Sequence, residues 1–137
     1  MLEVKVQHLG AVQFEAKAGR NTVVSDQPES NNGFDEGMTP PELLLASLGT
    51  CAGYYAVDYL KRNHLSLEGV QVRVTAEKAK NPARLDDFKI EVEAPAGLSE
   101  EHIKGVEEAV HRCLIHNTLR HPPKIETVIK RTQGAAK

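Results

Sequence analysis

TPPELLLASLGTCAGYYAVDYLK, Thr39 to Lys61, is the stretch that decides the fold. Thr39 is placed to cap a helix, and Pro40-Pro41 fit its first turn, where amide hydrogens have no intrahelical acceptor. Leu43, Leu44, Leu45, Ala46, Leu48, Cys51, Ala52, Tyr55, Ala56, Val57 and Leu60 then cover nearly every side of it. A helix that is apolar all round but interrupted by Ser, Thr and Asp belongs in a core and not in a membrane. The small residues Ala46, Ser47, Gly49, Ala52 and Gly53 let another backbone come close. Cys51 lies in the middle of this helix.

The flanks on either side read as strands. Leu2, Val4 and Val6 alternate with Glu3, Lys5 and Gln7, and Val12, Phe14 and Ala16 alternate with Gln13, Glu15 and Lys17. A period of two is that of half-buried strands. Ala18-Gly19-Arg20-Asn21 is a turn signal leading into a short strand at Thr22 to Ser25. DQPESNNGFDEGMT, Asp26 to Thr39, is a polar Gly-rich loop without periodicity, longer than most connections. Beyond the helix, Val70, Val72, Val74 and Ala76 alternate, as do Phe88, Ile90 and Val92, with Asn81-Pro82 turning the chain between them. Ser99 caps a second helix expected from Glu100 to about Leu119, with acids in its first turn as the helix dipole prefers. Ile103, Val106, Val110 and Cys113 form one apolar stripe along it. Pro122-Pro123 ends that region, and Lys124 to Arg131 alternates once more. The expected order is βββ-α-ββ-α-β, an α+β domain over residues 1–132 followed by a flexible tail at 133–137.

Composition narrows the function classes. The 137 residues are 40% hydrophobic and 26% charged, with a formal net charge of −2, ordinary for one soluble domain. Such a balance leaves no electrostatic footprint for nucleic acid or an anionic membrane. No apolar run is long enough to span a bilayer. MLEVKVQHLG lacks the basic-then-apolar layout of a signal peptide, so a cytoplasmic location is expected, where thiols stay reduced.

Cys51 and Cys113 are the only two cysteines. Each can be a small buried core residue. A pair can also do chemistry: a thiolate opens a peroxide O–O bond and becomes a sulfenic acid, and a second thiol condenses with it to a disulfide. Spacing alone does not choose between these readings. His111, His116 and His121 succeed one another at five-residue steps, so on a continuous helix they share no face; Cys113 and His116 do. Metal signatures such as H-E-x-x-H and C-x-x-C are absent, as is a phosphate-binding Gly-rich loop, so no metal and no cofactor are expected. Tyr54, Tyr55 and Tyr59 read as core packing, with phenol oxygens reaching partners or a pocket mouth.

Thr39 to Cys51 (T-P-P-E-L-L-L-A-S-L-G-T-C) and Cys113 to Leu119 (C-L-I-H-N-T-L) resemble the OsmC/Ohr family over essentially the whole chain. The resemblance implies an intertwined homodimer, its two long central helices wrapped by sheets, with active sites at the subunit boundary. It implies reduction of organic hydroperoxides or hydrogen peroxide, with Cys51 peroxidatic, Cys113 resolving and a dithiol such as a lipoylated protein as reductant. In hydroperoxidase members an Arg–Glu ion pair activates the first cysteine, and Arg20 is the candidate for that Arg. Glu42 falls one position short of the family's Glu. Its nine steps to Cys51 put it about 180° around the helix, so a first-turn role at the dipole is expected instead. That departure keeps a second reading open, a non-catalytic small-molecule or partner-binding protein on the same scaffold.

Overall fold

The computed structural model describes residues 1–134. Strands β1 (Lys5–Gly10), β2 (Gln13–Ala18) and β3 (Asn21–Ser25) form an antiparallel meander in the order β1-β2-β3. Helix α1 (Pro40–Arg62) follows, then the hairpin of β4 (Gln71–Ala79) and β5 (Arg84–Glu93), a separate two-stranded sheet. Two further helices, α2 (Glu100–Val110) and α3 (Leu114–Arg120), complete the fold. Mixed α+β architecture is as the alternation predicts, with two differences near the C-terminus. The expected single helix from Glu100 to Leu119 is two helices, and Lys124 to Arg131 pairs with no strand among the described residues. Of the expected tail, residues 135–137 lie outside the described residues.

The first turn of α1 forms as its composition requires. Thr39 Oγ1 accepts the Glu42 amide hydrogen at 3.4 Å, and Glu42 Oε1 accepts from the Thr39 amide and hydroxyl, both at 2.9 Å. This reciprocal capping box satisfies donors that the helix itself leaves open. Ser99 caps α2 in the same way, its hydroxyl accepting the His102 amide hydrogen at 3.3 Å.

Helix α1 is the packing centre. Leu48, Ala52, Ala56 and Leu60 recur every fourth residue and are at most 1% exposed. Against this stripe lie Val106, Ala109 and Val110 of α2, also buried. On a neighbouring side Gly49 and Gly53 admit β4: a methyl group added at Gly49 would sit 3.1 Å from Val74 Cγ2. The small residues of α1 thus serve the close approach their sequence suggests. Tyr59 reaches from α1 to α2, its hydroxyl hydrogen-bonded to His102 Nδ1 at 2.9 Å. Tyr54 departs from its expected core role. It is 65% exposed and touches Tyr55 edge-on.

The loop from Asp26 to Thr39 is organised around a buried carboxylate. Asp26, 1% exposed, accepts from the amide hydrogens of Gln27, Phe34 and Glu36 and from the Gln13 side chain at 2.7–3.2 Å. Burial pushes its pKa up, but these donors outweigh it and hold the carboxyl below its ordinary value. Gly33 lies so close to Gln27 that any side chain there would collide with the Gln27 carbonyl. A short 3-10 turn at Glu29–Asn31 and a parallel bridge between Ser25 and Met38 complete the loop.

Because Leu60 is completely buried between α1 and its neighbours, Leu60→Ala is expected to lower stability by about 2–5 kcal/mol. Leu67→Ala, at a 40% exposed position, is expected to stay within about 0.5 kcal/mol. Urea unfolding of the two variants measures the contrast.

Candidate functional site

One helical step of about 100° separates successive side chains, so adjacent residues of α1 meet different neighbours. Ala52 faces α2, Gly53 faces β4, and Cys51 faces the start of α3. The Cys51 thiol neighbours the Cys113 thiol, and the backbone amides of Leu114 and Ile115 lie close enough to stabilise negative charge on its sulfur. Both cysteines are free, Cys51 half-buried and Cys113 fully buried. The structure therefore brings together the two thiols that the sequence singles out.

Cys113 is not on a helical face, contrary to the single-stripe reading. It is the N-cap of α3, with φ −55° and ψ 125°, and its sulfur accepts the His116 amide hydrogen at 3.4 Å. The chain leaves α2 through His111 and Arg112 in a tight turn, closed by Cys113 N–H donating to the Val110 carbonyl at 3.0 Å. Neither Gly nor Pro stands between Val110 and Leu114 to mark the break. The same break overturns the spacing argument about the histidines: His111 and His116 rings lie 5.9 Å apart, edge to face.

The two sulfurs are electrostatically unequal. For Cys51, burial favours the neutral thiol, yet the hydrogen bonds from Cys113, Ile115 and Leu114 outweigh it and set its pKa below the ordinary value. For Cys113, burial acts first and the interaction with Cys51 adds to it; the His116 amide only partly offsets them, so its pKa is raised. Cys51 is thus the more acidic thiol of the pair and Cys113 the less acidic one. His116 is pushed down by burial and by the neighbouring His111 and Arg120, which favours its neutral ring.

The other sequence candidates stand apart from the thiols. Arg20 is exposed in the turn between β2 and β3 and makes no hydrogen bond or ion pair among the described residues. Glu42 spends its carboxylate on the capping box, the first-turn role its spacing implies. Cys113 and His116 gain no further ligand: among the described residues no group of three or more His, Cys, Asp and Glu is arranged to hold a metal ion. An open cavity of about 640 Å³ lies between α1, β5, α2 and α3. Leu48, Ile90, Val106 and Val110 form part of its wall, and His116, Leu119 and Arg120 of α3 line it as well. Sequence reasoning misses two parts of the site, the amide hydrogens of Leu114 and Ile115 and this cavity. Backbone groups carry no residue signature, and a cysteine is a rare N-cap.

Comparison with known proteins settles the family. The family model of OsmC-like proteins matches residues 33–128, which include both cysteines and the capped helix. The chain belongs to the OsmC-like family. Among solved structures it resembles a proposed osmotic stress induced and detoxification response protein of Psychrobacter arcticus. That likeness has a TM-score of 0.78 and 22% identity, covering 86% of this chain and 88% of the other. An OsmC-like protein of Mycoplasma pneumoniae gives a TM-score of 0.76 at 20% identity over 89% of each chain. An organic hydroperoxide resistance protein of Elizabethkingia anophelis gives 0.58 at 20% identity, covering 89% of this chain and 91% of that one. These likenesses establish the shared fold. No curated protein sequence matches the chain.

Alkylation of the reduced protein should show Cys51 reacting with a midpoint pH below that of a free thiol, and Cys113 reacting slowly with a higher one. Cys113→Ser, which keeps a donor, is expected to preserve the low Cys51 midpoint. Cys113→Ala should raise it, read by pH-dependent iodoacetamide labelling with mass spectrometry.

Proposed function

We propose that the protein is a thiol-dependent peroxidase that reduces organic hydroperoxides or hydrogen peroxide in defence against oxidative stress. The observation that carries this reading is that Cys51, sixty-two residues from Cys113 in the chain, stands beside it, with the backbone of Leu114 and Ile115 close to the Cys51 sulfur. An anionic sulfur at Cys51 attacks the terminal oxygen of the hydroperoxide. The O–O bond breaks, the departing alkoxide takes a proton, and Cys51 becomes a sulfenic acid. Cys113 is already in contact. Its sulfur attacks Cys51, water leaves, and a disulfide joins them. A dithiol, for which a lipoylated protein is suitable, then returns both to thiols by exchange. In a reducing cytoplasm the resting state is the free pair.

Assembly as a homodimer belongs to the same proposal, supported by apolar surface the single chain leaves open. Val4 and Val6, which alternation marks as one apolar face, are 60% and 61% exposed, and Leu9 and Val23 of the same meander are 49% and 44% exposed. Ile125 and Ile129 in the extended C-terminal segment are 85% and 89% exposed. Patches of this kind on a soluble domain are characteristically covered by a partner. Arg20, at the tip of the meander, is the cation we assign to the Cys51 site, delivered when the two chains wrap around each other. Glu42 has no part in activating Cys51, since its carboxylate closes the capping box.

One observation favours the alternative, a binding protein on the same scaffold: the 640 Å³ cavity is lined by neither cysteine. Peroxide consumption separates the two. Cumene hydroperoxide added to the reduced protein should consume both thiols and give an intramolecular disulfide. Cys51→Ser should lose essentially all peroxide reduction, and a wild-type rate in that variant would exclude the peroxidase reading. Cys113→Ser should retain the first turnover but accumulate over-oxidised Cys51, visible as added oxygen mass.

For the dimer, Ile129→Asp is expected to weaken self-association at least about tenfold. Sedimentation of the wild type as a monomer at every concentration would refute the assembly.

A further inference from the structure

The first turn of α3 is capped largely by sulfur. Cys113 is the N-cap, its Sγ accepting the His116 amide hydrogen at 3.4 Å, and the amides of Leu114 and Ile115 lie next to the two thiols. Elsewhere in this chain the same duty falls to hydroxyl groups, at Thr39 and Ser99. A helix of seven residues has little stability of its own, so its caps and packing hold it in place.

We propose that α3 is a redox-responsive element: a Cys51–Cys113 disulfide withdraws its caps and loosens it from α1 and from the cavity that it walls. This inference rests on the reading of the two cysteines as a redox pair and adds what their oxidation does to the fold.

The geometry indicates which side moves. A disulfide brings two sulfurs to about 2 Å, closer than hydrogen-bonded sulfurs stand. Cys51 is fixed in the interior of the 23-residue α1, with helix on both sides. Cys113 sits at the joint between α2 and α3 in a non-helical conformation. Cys113 therefore travels towards α1, carrying the peptide that leads into Leu114. The acceptors also weaken, because a disulfide sulfur has no charge to assist a hydrogen bond whereas a thiolate has. The buried Nδ1 of His116 has no hydrogen-bond partner among the described residues, so that atom does not anchor α3 against this motion. His116, Leu119 and Arg120 line the cavity, so the state of the thiols is transmitted there. The oxidation balances as two thiols and one alkyl hydroperoxide giving a disulfide, an alcohol and water.

Amide hydrogen exchange on the full chain tests the inference, with diamide as oxidant so that the bond forms whatever the protein does with peroxides. Loss of two hydrogens in the intact mass verifies the disulfide. The amides of Leu114, Ile115 and His116 are then expected to exchange at least about tenfold faster, with Ala52 and Ala56 of α1 unchanged. Unchanged exchange at the three α3 amides in the verified disulfide form overturns the proposal. Acceleration spread equally to Ala52 and Ala56 also overturns it, because the bond would then destabilise the whole domain. Cys51→Ser treated with diamide should show no acceleration, and an equal response there would overturn it as well. If cumene hydroperoxide leaves both thiols reduced while diamide frees α3, the peroxidase reading fails and the redox-responsive helix stands.

Discussion

Burial of one helix on several sides at once is the constraint on which the rest of the structure depends. Four successive residues of α1 point in four directions about 100° apart. Cys51 meets α3, Ala52 meets α2, Gly53 meets β4, and Tyr54 is left exposed. Each neighbour imposes its own demand on size. The α2 side takes Leu and Ala in a strict four-residue repeat, and the β4 side takes glycine because Val72 and Val74 come within contact distance. The α3 side takes a sulfur. Cys51 is positioned by the same packing that makes the core, so its location needs no mobile loop to define it.

Much of this was legible in the sequence because the physics involved is local. Thr39 followed by Pro40, Pro41 and Glu42 specifies a helix start through capping chemistry that uses only neighbouring atoms, and the capping box forms as written. The β4–β5 hairpin follows from alternation on either side of Asn81-Pro82. The two cysteines stood out by scarcity, and their resemblance to a family pattern made them a pair. Long-range pairing is where the reading stopped. Lys124 to Arg131 alternates like a strand, yet a strand exists only where another edge accepts its hydrogen bonds, and none within the described residues does so.

The break between α2 and α3 was illegible for a different reason. Ile103, Val106, Val110 and Cys113 satisfy helical periodicity, and neither Gly nor Pro stands between Val110 and Cys113. Periodicity reports which residues are buried, and Cys113 is buried completely. It does not report whether burial is reached along one continuous axis. The chain turns at His111 and Arg112, where the Cys113 amide donates to the Val110 carbonyl, and restarts as α3 with the Cys113 sulfur accepting the His116 amide hydrogen. The break departs from the apolar periodicity beside the two thiols. Such local conflicts are expected where function, not stability, sets the arrangement.

Glu42 shows the same division of labour from the opposite direction. Its carboxylate accepts two hydrogen bonds from Thr39 at 2.9 Å, and these hold its pKa below the ordinary value. Moving it toward Cys51 would require both to break and the side chain to reach around the helix it starts. Within one chain the lowered pKa of Cys51 therefore comes from dipoles, the Cys113 thiol and the backbone amides at the start of α3, and not from an ion pair carried by α1. Dipoles fixed in a half-buried site are screened by salt far less than exposed charges. A thiol stabilised this way is tuned by the geometry of α3 rather than by the ionic surroundings, and the position of that short helix becomes the variable on which the acidity of Cys51 turns.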